Sequence, residues 1–236
     1  MSRALKGLFI TGTDTGVGKT VITGLLARYY QEKNQTVITQ KWVQTGSSRP
    51  VDYLRHRELA GLSPADAIDI SAAAAGYCFR RAASPHLAAR LEKKKISSRL
   101  IRQRFNTLAK KFDLVIVEGA GGALVPFDRK HLLLDIACRL KLPVVIVARN
   151  ALGAINHALV TIEAIRSRKI PIAGIIFNCC DKKVDRCVVR DNPRIVAQLG
   201  KTKVLGSLPY TRHPDLLYVK FKPVARAIEK ALCRMI

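Results

Sequence analysis

The stretch LFITGTDTGVGKTVITGLL, Leu8 to Leu26, leaves few folds open. A short apolar run gives way to a turn rich in Gly and Thr, then resumes with helical spacing. That order reads as strand, loop, helix. The loop closes on Gly18-Lys19-Thr20. Amides of such a loop converge on an anion, and the helix start adds partial positive charge. Lys19 is then the side chain that reaches the β- and γ-phosphates of a nucleotide, and the Thr20 hydroxyl is the one that binds Mg²⁺. The strict spacing asks for Gly at position 13, where this chain has Thr13; Gly12 comes one residue earlier, so the loop is one residue longer than the standard form. Asp14, Thr15, Gly16, Val17, Gly18, Lys19, Thr20 and Val21 make up the expected nucleotide-binding segment.

The rest of the chain repeats the alternation. Strands are expected at Gly7–Thr11, Thr36–Lys41, Leu114–Glu118, Val144–Ala148, Ile172–Phe177 and Val204–Leu208. Helices are expected at Lys19–Lys33, Asp52–Ala60, Ser97–Lys111, His131–Leu140, Ile155–Arg168, Pro193–Leu199 and Pro223–Arg234. The strands are apolar throughout rather than alternating, which fits a parallel sheet covered on both faces. The fold class is therefore α/β: a doubly wound, mainly parallel sheet with helices on both faces, of the P-loop nucleotide triphosphatase type. Between 61 and 90 an Ala-rich helical pattern alternates with Ser/Pro loop. With no repeat, low-complexity segment or linker, residues 1–236 read as a single domain.

A phosphate loop needs a second carboxylate for its metal. DLVIVEGAGG supplies one: Asp113 to Val117 is an apolar strand with Glu118 at its C-terminal end. In an open parallel sheet that end is the ligand-binding edge. The competing role for Glu118 is to cap a loop. Gly119, Gly121 and Gly122 let the backbone run close to a ligand. These two motifs give a nucleotide triphosphatase without choosing among switches, motors and synthetases.

Composition narrows the setting. At 236 residues, 48% hydrophobic and 25% charged, the chain can bury a substantial core. It contains no run of about 18 apolar residues, so no membrane partner is expected. The opening MSRALKGLFITGT has too short an apolar segment for a signal peptide, and the expected location is the cytoplasm. Six cysteines, none in a CxxC pair, are expected as buried free thiols. The formal charge of +24 attracts polyanions. Basic residues are dense at 90–111 and around 182–203. A solvated basic surface is the plainer reading; with 6% aromatics and no nucleic-acid-binding motif, a nucleic-acid partner is not expected.

Six segments in order go further: GTDTGVGKT (12–20), KWVQTG (41–46), SPHLAA (84–89), VEGAGG (117–122), LGAINHA (152–158) and GIIFN (174–178). As a set they closely resemble the dethiobiotin synthetases, over most of the chain. The resemblance implies a ligase of biotin biosynthesis with Mg²⁺ as cofactor and ATP as co-substrate. CO2 adds to one amine of 7,8-diaminopelargonate to give a carbamate. ATP phosphorylates it to a carbamic–phosphoric anhydride. The second amine then closes the ureido ring, giving dethiobiotin, ADP and phosphate.

The resemblance also implies roles. Lys41 and Lys19 are the cations across the γ-phosphate and carbamate, and Thr15 donates to the developing oxyanion. Thr45 touches the substrate amine or carbamate. Mg²⁺ is held by Thr20, Glu118 and Asp52, the last taken from a stretch shorter than is common in the family. The substrate carboxylate is met by Gly121, Gly153 and Asn156, with the helix start at LGAINH contributed by the other subunit of a homodimer. Asn178 reads the adenine edge, with Leu208, Pro209 and Tyr210 on the other side of the base. His157 and His86 are also candidate bases; a structural role is the preferred reading for His157, and a packing or loop-fixing role for His86, whose loop lies near the substrate in the family. Trp42 stands where the family commonly has proline, which loosens the backbone there. Gly16 stands where Glu is frequent.

The alternative from another class is a ParA/MinD-like ATPase binding DNA or membrane, which the charge motivates. The lysine near the loop start that marks partitioning ATPases is absent, since 12–16 read Gly-Thr-Asp-Thr-Gly.

Overall fold

The computed structural model describes residues 5–62 and 71–235. Six parallel strands form the main sheet: β1 (Gly7–Gly12), β2 (Val37–Lys41), β5 (Leu114–Gly122), β6 (Val144–Arg149), β7 (Ile172–Asn178) and β8 (Val204–Leu208). Their order across the sheet is β2-β5-β1-β6-β7-β8. All six were expected, because a strand buried on both faces must be apolar at every position. Successive side chains serve opposite faces. Phe9, Val115, Val117, Val144 and Ile146 pack in one core layer. Leu8, Ile10, Ile116, Val145 and Val147 pack in the other.

Helices cover both layers. The first layer takes α5 (Ser98–Lys111), α6 (Leu133–Arg139), α7 (Ala154–Arg166) and Val196 of α8 (Arg186–Gly200). The second takes α1 (Lys19–Gln31), Leu59 of α2 (Val51–Leu59) and α9 (Pro214–Cys233). Two further strands pair in parallel beside the sheet: β3 (Val43–Thr45) and β4 (Tyr77–Phe79). Two short helices, α3 (Ser71–Ala74) and α4 (Pro85–Leu91), complete the described elements. The Ala-rich helix and Ser/Pro loop expected over 61–90 are seen from 71 onward; residues 63–70 lie outside the described residues.

Two helices begin earlier than expected. Proline favours the first helical turn, so Pro193 and Pro223 read as starts. Both instead lie inside their helices. α8 is capped by Asp185, whose side chain accepts from Cys187 N. α9 starts with its own proline, Pro214. An interior proline costs about 3 kcal/mol. Burial of Phe221, Val224 and Ile228 offsets it in α9, at about 1.5–3 kcal/mol for each large side chain.

The cysteines are unpaired, but none is buried. Cys138, Cys187 and Cys233 are exposed, and Cys78, Cys179 and Cys180 are half-buried. Apolar neighbours in sequence misplaced Cys138 and Cys233, since buried Ala137 and Leu232 turn to the core while the cysteines turn outward on α6 and α9; Cys179 and Cys180 follow the end of β7. Among the described residues no helix is long and apolar enough to cross a membrane.

Candidate active site

The Gly-rich loop leaves β1 at the C-terminal edge of the sheet, and β1 lies between β5 and β6. The sheet register does the first positioning. Lys41 at the end of β2 is the direct partner of Glu118 on β5, and Ile10 of β1 pairs with Glu118 on its other side. A cleft of about 400 Å³ opens there. It gathers Thr15, Gly16, Gly18, Lys19, Thr20 and Val21 from the loop and α1, Lys41 and Thr45 from the β2–β3 segment, Asp52 from α2, and Glu118 and Gly121 from β5. Gln44, Val43 and Ala120 also line it, and sequence reasoning did not single them out.

The charged groups form one network. Lys41 Nζ lies 2.7 Å from Glu118 Oε1, 2.7 Å from Asp52 Oδ2 and 3.0 Å from the Gly119 carbonyl. Thr20 Oγ1 donates to Glu118 Oε1 at 3.1 Å. Lys41 and Glu118 are 4% and 1% exposed. Burial opposes charge on both. For Glu118 the Lys41 ammonium and His56 overcome it and hold the carboxyl at about 2. For Lys41 burial is again outweighed, here by Glu118 and Asp52, and its pKa is raised. Gln44 braces the third member: its Oε1 accepts from Asp52 N at 3.2 Å.

The donor chemistry suits Mg²⁺. Two carboxylates and a hydroxyl, all hard oxygens, converge on one place where a cation already sits, the Lys41 ammonium. Mg²⁺ is commonly held by one or two carboxylates, with phosphate oxygens and water completing the shell. Among the described residues no three His, Cys, Asp or Glu side chains group to hold a metal unaided. An ion here would therefore depend on the nucleotide for its remaining ligands.

The loop itself is preorganised. Lys19 Nζ donates to the Asp14 carbonyl at 2.8 Å, while Thr15 N donates to the Asp14 carboxylate at 2.6 Å. The Val17 side chain is buried in the core, so only its backbone is available to a ligand. Its carbonyl accepts from Asn178 Nδ2 at 3.0 Å. Gly18 has φ of +100°, and a Cβ there would lie 2.2 Å from Asn178 Nδ2. Asn178 therefore closes on the loop backbone as well as standing at the end of β7.

Burial and the Lys41 charge push the Lys19 ammonium down to about 8, against the weaker pull of Glu118, Asp52 and Asp14. Bound phosphates would restore its proton. Nucleotide affinity is thus expected to fall as pH rises through 8. Calorimetry of ADP binding in buffers of different ionisation heat should show little proton uptake at pH 7 and most of one proton near pH 9. The folded state binds Lys19's proton less tightly than the unfolded chain, so this group's contribution to stability rises with pH above 8.

Other expected residues lie apart. Leu208, Pro209 and Tyr210 line a separate hollow with Cys179, Val184 and Val189. Asn156 and His157 face a second groove with Thr13, Leu124 and Val160. Gly153 caps α7 with φ of +85° and nothing beside its missing Cβ. His86 Nδ1 lies 3.1 Å from Ser84 Oγ, and the His86 amide donates to the Pro126 carbonyl, which ties down that loop. Trp42 does not loosen its segment. It is fully buried, stacks on Phe9 at 4.9 Å and donates Nε1 to Gln40 at 3.0 Å. A packed indole there restrains the backbone in place of a proline ring.

A further neighbour, outside the cleft lining, also went unnoticed in the sequence. His56 is wholly buried with Nε2 2.5 Å from Glu118 Oε2. Its signal was available: it lies four residues after Asp52 on α2, on the same helical face.

Comparison with known proteins finds relatives in sequence and in fold. The model of an AAA domain family matches residues 6–215. The chain is 40% identical over 202 residues to the ATP-dependent dethiobiotin synthetase BioD of Chlorobaculum tepidum, covering 84% of each. It is 37% identical over 215 residues to BioD of Anaeromyxobacter dehalogenans, covering 90% of this chain and 92% of that one. BioD 2 of Haemophilus influenzae is 39% identical over 174 residues, 73% of this chain and 91% of the relative. Among solved structures, a plasmid partition protein of Borrelia burgdorferi superposes with TM-score 0.62 at 16% identity, covering 97% and 99%. The Aquifex aeolicus MinC:MinD complex gives 0.58 at 14%, covering 97% and 95%. At such identities these last two likenesses report the fold alone.

Proposed function

The chain belongs to the family of ATP-dependent dethiobiotin synthetases, and from that membership we propose how its own residues carry the reaction. The single observation that carries the reading is the Lys41–Glu118–Asp52–Thr20 network, set in one cleft with the phosphate loop. The reaction makes a carbamate from 7,8-diaminopelargonate and CO2, transfers the γ-phosphoryl group of ATP to it, and closes the ureido ring with loss of phosphate.

Charge decides what each group does. Phosphoryl transfer needs positioning and neutralisation more than covalent help. Lys19, already held over the loop by the Asp14 carbonyl, meets the β- and γ-phosphates. Lys41 is kept protonated by two carboxylates and faces the same cleft, so it neutralises the carbamate as negative charge passes to it. Thr15 and Thr45 both line the cleft and are the groups assigned to the reacting oxygen and amine. Thr20, Glu118 and Asp52 would hold Mg²⁺, which when bound neutralises phosphate charge. Asn178, with Leu208, Pro209 and Tyr210, takes the adenine.

The substrate tail is completed by a second copy of the chain. Gly121 lines the cleft, but Gly153 and Asn156 do not. Large apolar side chains are exposed near them: Leu152 is 93% exposed, and Leu124 and Val160, which share a groove with Asn156, are also exposed. Such a patch favours a partner. A homodimer would bring the α7 start of one subunit to the cleft of the other. Residues 1–236 are read as one domain in the cytoplasm; the six-stranded main sheet, whose strands are drawn from residues 7 to 208, supports the first of these.

Carbon-13 bicarbonate tests the reading. Incubation with ATP, Mg²⁺ and diaminopelargonate should yield a product one mass unit above dethiobiotin, and dethiobiotin itself with ordinary bicarbonate. Unlabelled product, or none, would contradict the reading.

A further inference from the structure

The Glu118 carboxylate has two sides. Oε1 faces the cleft, taking Thr20 Oγ1 at 3.1 Å and Lys41 Nζ at 2.7 Å. Oε2 faces inward and meets His56 Nε2 at 2.5 Å. His56 has no exposed surface, and among the described residues its Nδ1 has no partner. The contact with Glu118 is therefore what its polarity is spent on.

Two features of the backbone bring the imidazole there. Asp52 and His56 stand one turn apart on α2 and face the same way, so one helix delivers both a carboxylate to Lys41 and a ring to Glu118. Gly24, in the interior of α1, is the second. A Cβ at Gly24 would come within 2.7 Å of Leu59 Cβ and 3.1 Å of the His56 Cα and carbonyl oxygen. Glycine weakens a helix interior. Here its bare Cα lets α2 approach to the distance at which His56 spans to β5.

We propose that His56 is a positioning residue for Glu118: its Nε2–H holds Oε2, so that Oε1 alone is turned to the divalent ion beside Thr20 and Asp52. The inference rests on the reading of those three residues as metal ligands. A carboxylate free at both oxygens can rotate and chelate. One held at Oε2 offers a single oxygen. Single-oxygen ligation suits the octahedral Mg²⁺ shell, whereas Ca²⁺ readily takes both oxygens of a carboxylate. His56 thereby sets ion selectivity as well as affinity.

The test is a Mn²⁺ titration by electron paramagnetic resonance in the presence of ADP, with Ca²⁺ as competitor. His56→Leu should weaken Mn²⁺ by about 10–100-fold, as loss of a ligand's outer partner does. Ca²⁺ should compete better than it does in the unmodified protein. His56→Gln, whose amide nitrogen can reach Oε2, should stay near the unmodified protein. ADP binding in EDTA should be unchanged in both. If the Leu variant does not fold, His56→Asn, whose amide falls short, replaces it. Unchanged Mn²⁺ affinity in the Leu or Asn variant, or equal loss in the Gln variant, would overturn the proposal. A Glu118→Gln control with undiminished Mn²⁺ affinity would overturn the metal reading and this proposal with it. Intact Mn²⁺ behaviour in a protein that makes no dethiobiotin would overturn the functional reading alone.

Discussion

Replacing Lys41 with methionine should leave a protein that binds nucleotide but has lost turnover, with kcat/KM down by about 10²–10³-fold or more. The ammonium is the cation nearest both carboxylates and is held charged by them. Methionine keeps the volume and removes the charge. The loss should extend to stability. Removing one partner of a buried ion pair leaves the other uncompensated, at a cost of about 3–5 kcal/mol. For a chain of this size that is a fall in Tm on the order of 10 °C. Mg²⁺ with ADP should recover part of it by returning positive charge to Asp52 and Glu118. A second signature concerns Lys19. Lys41 is one of the causes that lower its pKa, so in the variant the loss of nucleotide affinity at high pH should move upward from about 8. Normal turnover in Lys41→Met would remove this residue from the chemistry.

Glu118→Gln should be almost as damaging, for a different reason. The amide is isosteric but carries no charge, and it faces three groups placed for a carboxylate: Lys41, Thr20 and His56. Activity should fall by about 10²-fold and half-saturation by Mg²⁺ should rise. The stability difference between the two proteins should depend on pH in one direction only. The folded carboxyl is held at about 2, below the ordinary 4.5. Its stabilising contribution is therefore complete above pH 4.5 and is lost as pH falls from there toward 2. Thermal melts at pH 7 and pH 3 check this. A difference that grows on acidification would contradict the network as described.

Much of this was legible beforehand, and the rest was hidden for identifiable reasons. The six long strands announce themselves because burial on two faces demands apolar side chains throughout. Lys41 and Glu118 were named separately, and the sheet register then set them opposite one another. β3 and β4 were missed because three-residue strands carry no measurable periodicity. The interior Pro193 and Pro223 misled because the preference for a helix start is local, whereas burial along α9 and the Asp185 cap of α8 act beyond it. Trp42 was misjudged because a ring stacked on Phe9 can only be seen once β1 and β2 are folded together. His56 lay one turn from a residue already chosen, but its partner is 62 residues away in the chain. Gly24 had no reading at all until α2 was seen lying against it.

The central claim is that the cleft couples phosphate release from ATP to carboxylation of a diamine. It is tested most directly by following phosphate release with Mg²⁺ present, with and without diaminopelargonate and bicarbonate, alongside mass spectrometry of the product. The account predicts release only when both are added, one phosphate for each dethiobiotin formed. Release indifferent to either addition, with no dethiobiotin mass, would contradict it.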